Sequence, residues 1–290
     1  MEKSFDTPGD VRLYVENEVG HVDVSTGVTE ATNVSLEPDT PGAEELIERA
    51  TVECRTTGNC HIVVVKVPRQ GGMRFMRRNG VTVRVGVPQD SDVNVMAGSA
   101  DVDINGRVGT AELATSSGDI SADDVAGDFQ SKTASGTIIV GSVGGDLKVH
   151  TASGDLRCSS VAGRSLFATT SGDLEVGAAA NQVDVKTTSG DVRLGALAHG
   201  ARVQNVSGDV RVLALGKGTL QVRSVSGSVS VGIVKDVDLH VDVETLSGEI
   251  RSDIPLGDSP GPGRAGNRVD VSVRSVSGDV EIERALEQVA

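Results

Sequence analysis

The chain has 290 residues, 41 acidic against 27 basic side chains, and a formal net charge of −14. That balance argues against a nucleic-acid partner, which needs clustered Lys and Arg, and against electrostatic adhesion to anionic membranes. With no Trp, one Tyr and four Phe against 36 Gly, the core has to be thin and built from Val, Leu, Ile and Ala, and branched Val favours strands.

The first residues, MEKSFD, carry no apolar run, and no window reaches the roughly 18 apolar residues of a membrane helix. A cytoplasmic protein without membrane insertion is the expectation. Three cysteines suit a reducing compartment. Cys54 and Cys60 are spaced C-x5-C with His61 following, too few ligands for a closed zinc site. No metal and no cofactor are expected.

Residues 11–24 (VRLYVENEVGHVDV) alternate apolar and polar side chains around Gly20 and read as an early coil. Thr40-Pro41 opens a short helix over 43–50, with Glu44 and Glu45 in its first turn. Strands are predicted at 61–68 (HIVVVKVP) and 81–88 (VTVRVGVP). Between them lies the one dense basic run, with Arg69, Arg74, Arg77 and Arg78, a solvated loop or a contact for an acidic partner.

From there a repeat takes over. Ser117, Ser135, Ser153, Ser171, Ser189 and Ser207 follow one another at steps of 18, and Ser226, Ser247 and Ser277 follow at 19, 21 and 30. Each opens a Ser-Gly corner, and most corners continue with an acid: Ser117-Gly118-Asp119, Ser153-Gly154-Asp155, Ser171-Gly172-Asp173, Ser189-Gly190-Asp191 and Ser207-Gly208-Asp209. After the corner, apolar side chains alternate with polar ones, as in Leu156-Arg157-Cys158 and Leu174-Glu175-Val176. Before it a second strand alternates likewise, ending in hydroxyls such as Thr133, Thr169 and Thr187. A second corner carries Val125, Val143, Val161 and Leu197, followed by Gly127, Gly145, Gly163 and Asn181, residues that tolerate a left-handed backbone. Such a unit cannot bury its apolar face alone but can when stacked on its copy.

The fold class is therefore all-β: an elongated single-stranded parallel β-solenoid (β-helix) of about 18 residues per coil, with a short N-terminal helix. Residues 1–98 form irregular N-terminal coils with the helix and basic loop, and 99–290 the regular repeats. The Pro- and Gly-rich stretch 257–267 is expected to be a disordered insertion that accounts for the step of 30. The final ERALEQVA is expected to cap the last coil as a short helix.

The segments VRLYVENEVGHVDV, VTVRVGVPQDSDVNVMAGSADVDINGRVG and the TSSGDI repeats resemble the bacterial "putative adhesin" or toast-rack β-solenoid family, whose function is unknown. The resemblance covers nearly the whole chain. It implies a parallel solenoid, links some members to envelope-stress systems, brings membrane anchors in many and brings no catalytic residues.

The Asp column could suggest a calcium ladder, but calcium solenoids carry a nine-residue Gly-rich repeat not found here. Each Asp is expected instead to hydrogen-bond its own corner, with Arg157, Arg193, Arg211 and Arg251 offsetting the stacked charge. The five His are scattered, and Cys158 sits on an inward column as a core residue. No enzyme and no catalytic residue are expected. The predicted function is a non-enzymatic scaffold or protein-interaction module that binds a protein partner or itself. The alternative is an adhesin or a polysaccharide-acting β-helix.

Overall fold

The computed structural model describes residues 1–28, 30–69, 79–254 and 268–285. It is an all-β parallel solenoid with a single short α-helix among the described residues, as the period predicts. By internal contacts it divides into Met1–Gly145 and Asp146–Ala290.

The first unit contains β1 (Glu2–Asp6), β2 (Asp10–Gly27), β3 (Ala31–Pro38), α1 (Glu44–Glu48), β4 (Thr51–Thr57), β5 (Cys60–Lys66), β6 (Val81–Pro88) and β7 (Asp92–Val108). It continues with β8 (Ala111–Ser117), β9 (Ile120–Val125), β10 (Phe129–Ser135) and β11 (Ile138–Val143). The alternation in β2 buries Val11, Leu13, Val15, Val22 and Val24, and those side chains stack on both sides. Leu13 lies against Val93 of β7 and Val63 of β5, and Val22 against Val102 of β7 and Val83 of β6. The early coil is thus an inner rung, with later strands outside it.

Antiparallel strands extend this unit: β4 on β5, β3 on β6 and β1 on β3. The sequence reading assigns no strand to 31–38 or 51–57. The helix forms as expected but is shorter, since a 3-10 turn, Pro41–Ala43, takes its start and Arg49 ends it. Ala43, Leu46 and Ile47 turn inward.

The second unit holds β12 (Leu147–Ser153), β13 (Leu156–Val161), β14 (Ser165–Ala168), β15 (Leu174–Ala179), β16 (Val183–Lys186), β17 (Val192–Leu197), β18 (Gly200–Gln204) and β19 (Val210–Leu215). Then come β20 (Gly218–Arg223), β21 (Val229–Ile233), β22 (Asp238–Ser247), β23 (Ile250–Ser252), β24 (Arg268–Ser277) and β25 (Val280–Arg284). Positions eighteen apart, and nineteen at the last step, lie in parallel register, so Leu156, Leu174, Val192, Val210 and Val229 form one continuous buried column. Removing such columns from water on both sides is the main stabilising contribution of each added rung.

At its far end the rungs leave sequence order. β24 pairs with β20, and β25 with β21; β22 and β23 then pair onto β24 and β25. Ser226 therefore neighbours Ser277, and Ser247 lies beyond it. The step of 30 joins two neighbouring coils in reversed order: the last rung in sequence slots in between the β20–β21 rung and its own predecessor. Residues 257–267 fall outside the described residues. Glu283 and Arg284 continue β25 rather than opening a helix, and 286–290 are outside the description.

The two corners use glycine differently. Gly172, Gly190 and Gly208 in the Ser-Gly corner have φ between +121° and +130°, which an L side chain rarely adopts. At the second corner Gly127 and Gly145 do not have positive φ, contrary to expectation. There the need is closeness: a Cβ on Gly145 would sit 2.6 Å from the Gly127 carbonyl carbon.

Candidate functional site

The Ser-Gly-Asp corners face solvent, and their polar groups have specific partners. Before several corners a hydroxyl turns back on its own chain: Thr133, Thr169 and Thr187 donate to the carbonyls two residues on, at 2.9, 3.0 and 3.3 Å. Asn205 takes this place in its rung and donates to the Gly208 carbonyl at 2.7 Å.

The carboxylates reach across rungs. Asp155 Oδ1 accepts the Asp173 backbone N–H at 2.9 Å, Asp173 that of Asp191 at 2.8 Å, and Asp191 that of Asp209 at 2.9 Å. In the first unit Asp101 serves Asp119, and Asp119 serves Thr137, in the same way. Each Asp caps the corner of the following rung, not its own as expected. The reason is geometric: in a parallel stack the equivalent amide of the next rung is one strand spacing away. A charged acceptor on an amide is a strong hydrogen bond, and it offsets repulsion between carboxylates stacked in a row.

Two residues past this row comes a second one, Arg157, Glu175, Arg193 and Arg211. Together the rows line a shallow groove of about 260 Å³. Arg157 Nε lies 3.8 Å from Glu175, and Arg211 lies 3.9 Å from Glu283; only Arg251, 2.5 Å from Glu249, pairs with the corner column itself. Arg193 and Arg211 are register neighbours, so two like charges stand side by side. The arginines thus balance glutamates more than the Asp row.

Among the described residues, several groups that could act as nucleophile or base are held by partners. Cys158 is buried, its thiol facing the Ser160 carbonyl, and burial pushes its pKa up to about 11. That keeps it a thiol, the unreactive form. His61 is held between the Pro8 carbonyl and Thr56, and His199 sits on the Ala180 carbonyl. His21 Nε2 lies 3.2 Å from Asp103, whose carboxyl is pushed up chiefly by burial. Cys54 and Cys60 are free and lie opposite Val63 and Thr57 in the β4–β5 hairpin, roughly 10 Å apart along the strand. Of the basic run, Arg69 contacts Glu18 at 3.3 Å; Arg74, Arg77 and Arg78 lie outside the described residues.

A larger groove, about 650 Å³, crosses β1, β3, β6 and β2 in the first unit. Ser4, Asp23, Ser25, Asn33, Ser35 and Arg84 line it. Arg84 pairs with Glu37, and Asp23 accepts from Asn105. Its residues come from three consecutive strands and the more distant β6, with no repeat to align them, so the sequence gives no signal for it.

Among solved structures, a "putative adhesin" from Parabacteroides distasonis matches at 13% identity, covering 97% of this chain and 96% of that one, with a TM-score of 0.47. A "putative lipid binding protein" from the same species matches at 10% identity over 97% and 96%, with a TM-score of 0.44. A "putative cell adhesion protein" from Clostridium sporogenes matches at 9% identity over 98% and 99%, with a TM-score of 0.26. No curated protein matches the chain. The Toastrack DUF4097 family model matches residues 11–194 and 132–283. Rungs, corners and family model agree in extent, and the chain belongs to the Toastrack DUF4097 family.

Proposed function

We propose that this protein is a non-enzymatic interaction scaffold whose working surface is the two-row face of Asp155, Asp173, Asp191 and Asp209 with Arg157, Glu175, Arg193 and Arg211. One observation carries the reading. One oxygen of each Asp is held by a rung amide, while the neighbouring Arg193–Arg211 pair stands exposed in a shallow open groove. Fixed charges of both signs on a rigid ladder suit recognition of a protein surface that sets an acidic group against Arg193 and Arg211 and basic groups against the Asp row, where complementarity sets specificity and on-rate. Cytoplasmic residence belongs to the proposal, and the three free cysteines support it. No helix among the described residues is long and apolar enough to cross a membrane.

The test is affinity capture from the native host with the wild-type chain and with an Arg193→Glu/Arg211→Glu variant. The expected result is a partner retained by the first and lost by the second. A wild-type column that returns nothing, together with monomeric elution, overturns the reading. A glycan-array or lyase signal abolished by Asp155→Asn/Asp173→Asn/Asp191→Asn would replace it with the adhesin or polysaccharide alternative.

A further inference from the structure

The rung made of β22 and β23 differs from every rung it resembles. Among the described residues, β22 pairs on one side only, with β24, and β23 only with β25. Its other edge presents the backbone groups of a 10-residue strand. The inward side chains Leu239, Val241 and Val243 are half-buried, whereas Val269, Val271 and Val273 beneath them are almost wholly covered. Leu246 and Ile250 are 79% and 48% exposed. A hydrophobic column thus stops at a surface with an open ladder beside it, the arrangement that accepts another strand.

The outward side chains say which strand. They are Asp238, His240, Asp242 and Glu244. Beneath them on β24 stand Arg268, Asp270, Ser272 and Arg274. Arg268 is committed to Asp270 at 2.9 Å, and Arg274 reaches Glu244 at 3.9 Å. The edge is therefore acidic outside and apolar inside. A second copy placed antiparallel by a twofold axis would set this acidic row against its own image, with only His240 to relieve it, in a chain already at −14.

We propose that β22 is the docking edge for one extended partner strand whose side chains alternate apolar and basic. Its apolar residues continue the columns ending at Val241 and Val243, and its Lys or Arg residues stand beside Asp242 and Glu244. The proposal rests on the scaffold reading for the kind of function, but uses a different surface from the Arg193–Arg211 face.

The probe is a fluorescein-labelled ten-residue peptide of alternating Val and Lys, with Ser-for-Val and Glu-for-Lys versions as comparisons. Binding is read by anisotropy and located by amide hydrogen exchange. The Val/Lys peptide is expected to bind, to slow exchange across 238–247, and to bind about ten-fold more tightly than either comparison peptide. Asp242→Lys/Glu244→Lys, at exposed positions that leave the thermal midpoint in place, is expected to transfer the preference to the Val/Glu peptide. Equal binding of the Val/Lys and Ser/Lys peptides would show surface charge alone and overturn the proposal. Unchanged exchange across 238–247 would overturn it too. So would strong protection of these amides in the free chain, since the edge would already be covered by the chain itself or, if protection rose with concentration, by a second copy. A chain that fails here yet captures its partner through Arg193 and Arg211 leaves the scaffold reading standing.

Discussion

Within the second unit, the rungs from β14 to β19 and the rung of β22 and β23 share one pattern and differ in burial. Val185 and Val243 occupy the same place before a Ser-Gly corner. Val185 lies between Phe167 and Val203 and is 1% exposed; Val243 has Val273 on one side and is half-buried. Leu174 is buried after its corner, while Ile250 at the equivalent place is 48% exposed. The pattern encodes which way a side chain points. A neighbour on each side decides what that direction is worth, as a nearest-neighbour account of repeat proteins requires.

The sharpest way to break this comparison is to put one charge into both places. Val185→Asp buries an unpaired carboxylate between two rungs and is expected to cost about 4 kcal/mol or more. Val243→Asp can turn its carboxylate to water and is expected to cost about 1 kcal/mol. Denaturant unfolding of the two variants measures the gap. Equal costs would mean that the two rungs are equally enclosed.

A smaller effect separates corners from joints. Gly190 has φ +130°, and a Cβ there would sit 2.1 Å from the Gly172 carbonyl oxygen. Gly190→Ala is expected to cost about 3 kcal/mol, because backbone of two rungs has to part. Gly216 has no heavy atom closer than 4.0 Å to that position, so Gly216→Ala is expected to stay within about 0.5 kcal/mol of wild type. Thermal midpoints of the pair distinguish a corner defined by φ and stacking from a joint that only connects.

Alkaline pH probes the enclosed core without changing its shape. Folding raises the Cys158 pKa from 9.0 to about 11 through burial, so the folded state holds this proton longer. The contribution is complete below pH 9 and is lost as pH rises through the folded value. The loss is about 2–3 kcal/mol by pH 11. Cys158→Val is expected to remove that part of the alkaline loss. Cys54, raised in the same direction by milder burial, retains a smaller share in both proteins. Parallel stability curves for wild type and Cys158→Val between pH 8 and 11 would contradict the assignment.

The inward columns were legible because side-chain direction in a strand is local: Leu156, Leu174 and Val192 are eighteen apart and stack as the spacing requires. Rung order at the end was not, because Ser226, Ser247 and Ser277 fit a rung in either order, and only competition for the β20 edge decides that β24 takes it. The antiparallel strands β1, β3 and β4 were equally hidden, having no repeat to compare with. At the candidate site the Asp row was visible, but its partner was misplaced by one rung, since hydrogen bonds across the stack leave no trace in a single repeat.

That row yields the smallest prediction. Asp191 Oδ1 accepts the Asp209 N–H at 2.9 Å while Asp173 holds the amide of Asp191 itself. Asp191→Ala leaves one corner amide to water and is expected to cost about 0.5–1 kcal/mol. Asp191→Asn keeps an oxygen acceptor at the same reach and removes one of four like charges in the row, so stability is expected to stay level or rise slightly. The next rung provides the contrast: Ser228 breaks the row after Asp209, whose Oδ1 accepts the Ser228 N–H at 2.8 Å. A hydrogen-exchange measurement at Asp209 settles which role the carboxylate plays. Faster exchange in Asp191→Ala and unchanged exchange in Asp191→Asn mark it as a cap between rungs, whereas equal losses in both variants would mean that its charge, not its oxygen, is what the corner uses.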